Sequence, residues 1–125
     1  MNNRAIKFRF WLKEQEKMLD DIRARTDDYT DMLNETIDYL QNDGVVFMQY
    51  TRLKDQEGKE IYEGDILKWR DLLGFVQWNR VAGRYRLQRN KKVTPIDYLD
   101  LELAKKCKII GNKFENSELI ESDEQ

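Results

Sequence analysis

Six glycines stand singly at positions 44, 58, 64, 74, 83 and 111, and the apolar residues of the second half fall in short runs between them. A glycine inside a helix costs about 1 kcal/mol relative to alanine, so this punctuation disfavours long helices across residues 44–111. It favours short strands joined by tight turns. Val45-Val46-Phe47-Met48-Gln49-Tyr50 is rich in strand formers, and Lys54-Asp55-Gln56-Glu57-Gly58-Lys59 reads as a polar turn closed by glycine. Glu63-Gly64-Asp65 is a second turn, after which Ile66-Leu67-Lys68-Trp69 runs as a strand. Gly74 is expected to open Phe75-Val76-Gln77-Trp78, and Gly83 to open Arg84-Tyr85-Arg86-Leu87-Gln88. Strands at roughly 8–12-residue intervals with glycine turns imply a small barrel or sandwich.

The amino-terminal part has two textures. Ile6-Lys7-Phe8-Arg9-Phe10-Trp11 alternates apolar and basic side chains, the period of a strand with one buried face, placing Ile6, Phe8 and Phe10 inward and Lys7 and Arg9 outward. A return strand at Met18-Leu19 would complete a hairpin over about residues 5–20. Residues 26–44 carry six acids and no base. Leu33, Ile37 and Leu40 recur there at helical spacing and Gly44 stands ready to end a helix, which predicts one over about residues 31–41. After Pro95 a helical turn or two is expected within 96–105, then a strand at Lys108-Ile109-Ile110-Gly111. An acidic tail over 116–125 follows, with a short turn docked through Leu119-Ile120. The expected core is Phe8, Phe10, Val46, Met48, Ile61, Ile66, Trp69, Val76, Trp78, Tyr85, Leu87, Ile109 and Ile110.

Met48-Gln49-Tyr50-Thr51, Leu53-Lys54-Asp55 and Gly58-Lys59-Glu60-Ile61-Tyr62-Glu63-Gly64-Asp65-Ile66 together resemble the signature stretch of the YopX family of phage and prophage proteins. Ile6 to Trp11 matches near the start, and Ile109-Ile110-Gly111-Asn112, Phe114-Glu115-Asn116 and Glu118-Leu119 match near the end. Arg52 departs from the family's usual glycine and Ser117 from a frequent proline. The resemblance implies one mainly β domain over residues 1–125 with minor helix: a small SH3-like barrel over about 45–115, joined by the amino-terminal hairpin and one inserted helix. It also implies a setting in bacterial mobile elements and supplies no catalytic residues. Physics gives the signature a structural reading: glycines for sharp turns, Asp65 to bond turn amides, and Ile61, Tyr62, Ile66 and Trp69 to fill the core.

Of 125 residues 24 are acidic, 22 are basic and none is histidine. The commonest neutral-pH base and the commonest metal ligand are therefore missing. One cysteine allows no internal disulfide and suits a reducing compartment. No apolar run nears the roughly 18 residues that span a bilayer, and no secretory leader follows Met1. The expectation is a cytoplasmic protein without cofactor, metal, membrane attachment or catalysis. Asp27, Asp28 and Asp31, and the pair Glu63 and Asp65, are the two acidic groupings suited to a hard cation, though helix-start and turn chemistry account for both. Cys107 sits among Lys105, Lys106 and Lys108, cations able to lower a thiol pKa, yet no histidine is present to serve as its base and it precedes a strand expected to enter the core.

Charge is strongly segregated: residues 1–25 sum to +3, 26–44 to −6, 45–92 to +5 and 93–125 to −4. The densest basic stretch holds Arg80, Arg84, Arg86, Arg89, Lys91 and Lys92, with no acid from Val81 to Val93. Alternation places Arg84 and Arg86 on the outer side of one strand, Tyr85 and Leu87 on the inner side. Guanidinium groups so placed suit carboxylate or phosphate. The primary expectation is association with protein, either another copy or a phage or host partner; the alternative is a nucleic-acid-binding module using the same strand face.

Overall fold

The structure, a computed structural model, describes residues 7–23, 44–88 and 97–121. The helix expected over 31–41 lies outside the described residues. The chain divides into two compact units, Met1–Tyr50 and Thr51–Gln125. It is mainly β with minor helix, and its sheets are antiparallel, as the sequence implied.

In the first unit β1 (Lys7–Leu12) and β2 (Lys17–Arg23) form the expected hairpin. The amino-terminal end of β3 (Val45–Lys54) pairs with the other side of β1, with Phe10 opposite Phe47 and Phe8 opposite Gln49. Phe8 and Phe10 point to one face with Phe47 between them, at ring-centroid distances of 4.6 and 4.8 Å. Val45, Leu12 and Leu19 complete this small aromatic core. Arg9 is not outward, as alternation suggested, but 7% exposed, and Trp11 is buried as well. Four consecutive residues, Phe8 to Trp11, are withdrawn from water, so both faces of β1 are covered there and a two-residue period no longer separates inside from outside.

The second unit holds the end of β3, β4 (Glu60–Tyr62), β5 (Asp65–Trp69), β6 (Leu72–Asn79), β7 (Arg84–Gln88), β8 (Asp97–Tyr98), α1 (Leu101–Lys106), β9 (Lys108–Asn112) and α2 (Glu118–Glu121). Five strands form one sheet in the order β8-β7-β6-β5-β9. Asp100 caps α1, its carboxylate accepting from the Leu103 amide, and the helix carries Ala104 into the core. That core gathers Ile61, Leu67, Val76, Leu87, Leu99, Ala104 and Cys107. Leu67 escapes the sequence pattern because β5 is covered on both faces: Ile66 and Leu67 face opposite sides, yet both are fully buried.

Of the expected core, Val46, Trp69, Tyr85, Ile109 and Ile110 are half-buried, and Trp78 is 44% exposed. Trp78 stands one ladder pair from the β6–β7 turn, where its ring meets Tyr85 edge-on at 4.9 Å and the core face runs out to solvent. Gly74 is not a turn residue either. It lies within β6, and a Cβ there would stand 3.0 Å from the Gln88 carbonyl oxygen and 3.2 Å from the Leu87 Cβ. The close approach of β7 is what excludes a side chain.

The β3–β4 turn is held by one carboxylate. Asp55, buried, accepts the Glu57 and Lys59 amides at 2.9 Å on Oδ1 and the Ile109 amide at 3.0 Å on Oδ2. Gly58, with φ +82, lets the turn close beneath it. The Gln56 amide donates to the Cys107 carbonyl at 2.8 Å, so the turn is fastened to the start of β9 twice. Asp55→Ala strands three amides, and we expect a loss of about 3 kcal/mol in urea denaturation. Arg52 has φ +71 inside β3, which explains why glycine suits this position. Left-handed backbone costs a side-chain-bearing residue about 1–2 kcal/mol, partly offset by the entropy glycine adds to the unfolded chain. Arg52→Gly should therefore raise stability by about 0.5 kcal/mol on balance, read as an increased urea midpoint with unchanged slope.

Candidate binding face

Antiparallel register decides which side chains share a face of the five-stranded sheet. Trp78 pairs with Tyr85 and Val76 with Leu87, which is the core side. Arg84 pairs with Asn79 and Arg86 with Gln77, which is the other side. The alternation expected for Arg84 and Arg86 is therefore present. Continuing across the sheet, Phe75 pairs with Ile66, Leu73 with Lys68, and Lys68 with Lys108. Four bases thus stand on one face, Arg84 and Arg86 on β7, Lys68 on β5 and Lys108 on β9. The described strand positions of that face carry no acid.

Each base is positioned differently. The Arg84 guanidinium lies 4.1 Å from the centroid of the Tyr98 ring. Arg86 donates from Nε and Nη2 to Gln77 Oε1, at 3.0 and 2.7 Å, which fixes its planar group against the sheet. Lys68 Nζ donates to the Arg70 carbonyl at 3.1 Å, and Lys108 Nζ stands 3.6 Å from a Glu57 carboxylate oxygen. Like charges directly opposite one another on adjacent strands oppose pairing, so Lys68 and Lys108 are held there against their own repulsion. At the margin, the Lys113 ammonium lies 4.8 Å from the Phe75 centroid and 5.3 Å from that of Phe114. Burial lowers its pKa, and Glu63 acts in the opposite direction.

Of the sequence candidates, Arg84 and Arg86 share the face, Arg84 exposed and Arg86 half-buried. Arg80 is exposed in the β6–β7 turn, beyond the last ladder pair. Arg89, Lys91 and Lys92 lie outside the described residues. Lys68 and Lys108 were missed. Their one local signal was a single charged residue beside apolar strand formers, and only the sheet order brings them to the arginines. Arg70 and Lys106 do not join this group: they flank the Trp69 ring, at 4.8 and 5.0 Å, and Trp69 packs against the core.

The other chemical candidates behave as structural groups. Asp65, buried, accepts the Tyr62 amide at 2.8 Å, which is turn chemistry. Among the described residues no three metal-ligating side chains come together; Asp27, Asp28 and Asp31 fall outside them. Of the two influences on Cys107, entry into the core prevails over the neighbouring cations. The thiol is fully buried, and burial, with the Asp55 carboxylate adding to it, pushes its pKa up to about 11. The neighbouring lysines are exposed and leave the thiol to the core. No described helix is long and apolar enough to cross a membrane.

The second unit is thus a small β-rich body whose five-stranded antiparallel sheet carries Arg84, Arg86, Lys68 and Lys108 on one side. The YopX protein profile matches residues 7–121, and the chain belongs to that family. Among solved structures it is similar to the crystal structure of protein EF1440 from Enterococcus faecalis, with a TM-score of 0.60 and 23% identity over 92% of this chain and 97% of that one. That likeness concerns the fold. No curated protein matches the chain.

Burial likewise pushes Tyr85 up to about 12, with Glu63 contributing and Arg52 opposing. Both acids keep their protons longer when folded, so the unfolded chain releases protons first. The thiol's share of the resulting stability is whole below about pH 9, its ordinary value, and is lost as pH rises through 11. Urea denaturation at pH 8, 10 and 11 should show the shortfall of Cys107→Ala relative to the parent shrinking as pH rises. A constant shortfall would show that the thiol titrates alike in both states.

Proposed function

We propose that this chain is a non-enzymatic accessory protein of a phage or prophage, acting by protein–protein association in the bacterial cytoplasm through the face of Arg84, Arg86, Lys68 and Lys108. The observation that carries the reading is the opposition of Lys68 and Lys108 on a face whose strand positions hold no acid. A surface that concentrates one sign of charge at a cost to strand pairing is suited to a partner of the other sign. The absence of histidine supports a role without catalysis, as does the use of Asp55, Asp65 and Cys107 inside the fold.

Nucleic acid is the second reading, since the same cations suit phosphate. An acidic protein surface is favoured over it for two reasons. The isoelectric point of about 5.3 is far from that of a dedicated nucleic-acid binder. The aromatic rings of this face are also taken, Tyr98 by Arg84 and Phe75 by Lys113, where single-stranded nucleic acid asks for rings open to stacking.

The test is the double variant Arg84→Glu and Arg86→Glu, used as bait in bacterial extract with and without nuclease. Its stability should stay within about 1 kcal/mol of the parent, because one site is exposed and the other half-buried. Partner capture should be lost, and capture by the parent should survive nuclease. Retention by the variant would remove the face from the function. Loss on nuclease treatment, with affinity falling log-linearly with salt, would replace protein by nucleic acid as the partner.

A further inference from the structure

Resting on that reading, we infer that the partner of the basic face is the acidic segment of a second copy of this chain, residues 26–43. The face supplies the template. β6 runs between β7 and β5, so Leu73, Phe75 and Gln77 lie between the two arginines on one side and the two lysines on the other. Leu73 and Phe75 are half-buried beside these cations, while Ile66, opposite Phe75 on the same face, is fully covered, so only the margins of the face offer apolar surface. A complementary occupant therefore needs acids interleaved with apolar residues and no base.

Residues 26–43 have that composition. They hold Asp27, Asp28, Asp31, Glu35, Asp38 and Asp43 without one lysine or arginine, and Leu33, Ile37 and Leu40 stand among them. Such a segment matches the face in sign and in its mixture of charge and apolar surface. Arginine forks to carboxylate are among the stronger charged contacts, and Arg84 and Arg86 offer two guanidinium groups on one strand. Each copy carries one basic face and one acidic segment. Reciprocal exchange, the arrangement we infer, uses both on both chains and gives a two-fold dimer.

The test compares three full-length proteins by sedimentation equilibrium at low and high salt: the parent, the face variant R84E/R86E, and a segment variant D31K/E35K/D38K. The parent should dimerise, with a dissociation constant rising roughly tenfold or more from low to high salt. Each variant alone should be monomeric. An equimolar mixture of the two should regain the dimer, because the reversed face then meets the reversed segment and the native face the native segment. Far-ultraviolet circular dichroism confirms that each variant is folded. As a measurement independent of either variant's assembly, a synthetic peptide of residues 26–43 should bind the parent and lose at least tenfold affinity for R84E/R86E. A parent that stays monomeric at low salt, a dimer indifferent to both reversals, or variants that fail to rescue one another would each overturn the inference. If the parent is monomeric yet captures a different protein through Arg84 and Arg86, independently of nuclease, the self-partner fails while the function proposed above stands. If capture disappears in nuclease-treated extract, that broader reading fails as well.

Discussion

Asp55 is the constraint on which the second unit depends. A turn of five residues between β3 and β4 leaves several amides with no partner in a strand ladder. One carboxylate answers two of those amides and reaches a third, on Ile109, fifty-four positions later. The strand that begins there, β9, forms an edge of the five-stranded sheet, and its register against β5 sets Lys108 opposite Lys68. The turn signature and the basic face are thus linked by a single side chain. An aspartate fits because two short, fixed oxygens answer amides from two directions, whereas asparagine offers a single accepting oxygen.

Much of this fold was legible from period and punctuation. The alternation in residues 6–11 gave the first hairpin, and Gly58 and Gly83 marked turns in which both take positive φ. The errors share a cause: each needed knowledge of a strand elsewhere in the chain. Arg9 and Leu67 are buried because β1 and β5 are covered on both faces, and a two-residue period describes only a strand with one covered face. Gly74 looked like a turn since glycine in a turn and glycine beneath a crossing backbone are the same letter. Trp78 looked like core by size, but its place one pair from a hairpin end decides its exposure.

The candidate site divides in the same way. Arg84 and Arg86 could be paired from one strand's alternation. Lys68 and Lys108 could not, because their meeting depends on sheet order and on an irregular register between β5 and β9. Cys107 shows the converse. Its three lysine neighbours are cations able to lower a thiol pKa, but sequence proximity does not put charges on one side of a backbone. The lysines stay in water while the thiol turns into the core, and desolvation outweighs them.

The cost of the basic face also bears on what it is for. Were stability alone at issue, an acid opposite either lysine would turn a repulsion into an attraction of up to about 1 kcal/mol. The chain has acids in abundance, 24 of 125 residues, so their absence from these strand positions is not a shortage. They are placed elsewhere, in Asp55 and Asp65 where the backbone needs acceptors, and in a segment of six acids that carries no base. Glu57 beside Lys108 tempers the repulsion from the rim without occupying the strand position itself. A sequence arranged this way sacrifices little stability, and under the function proposed above any association through these cations would respond to salt.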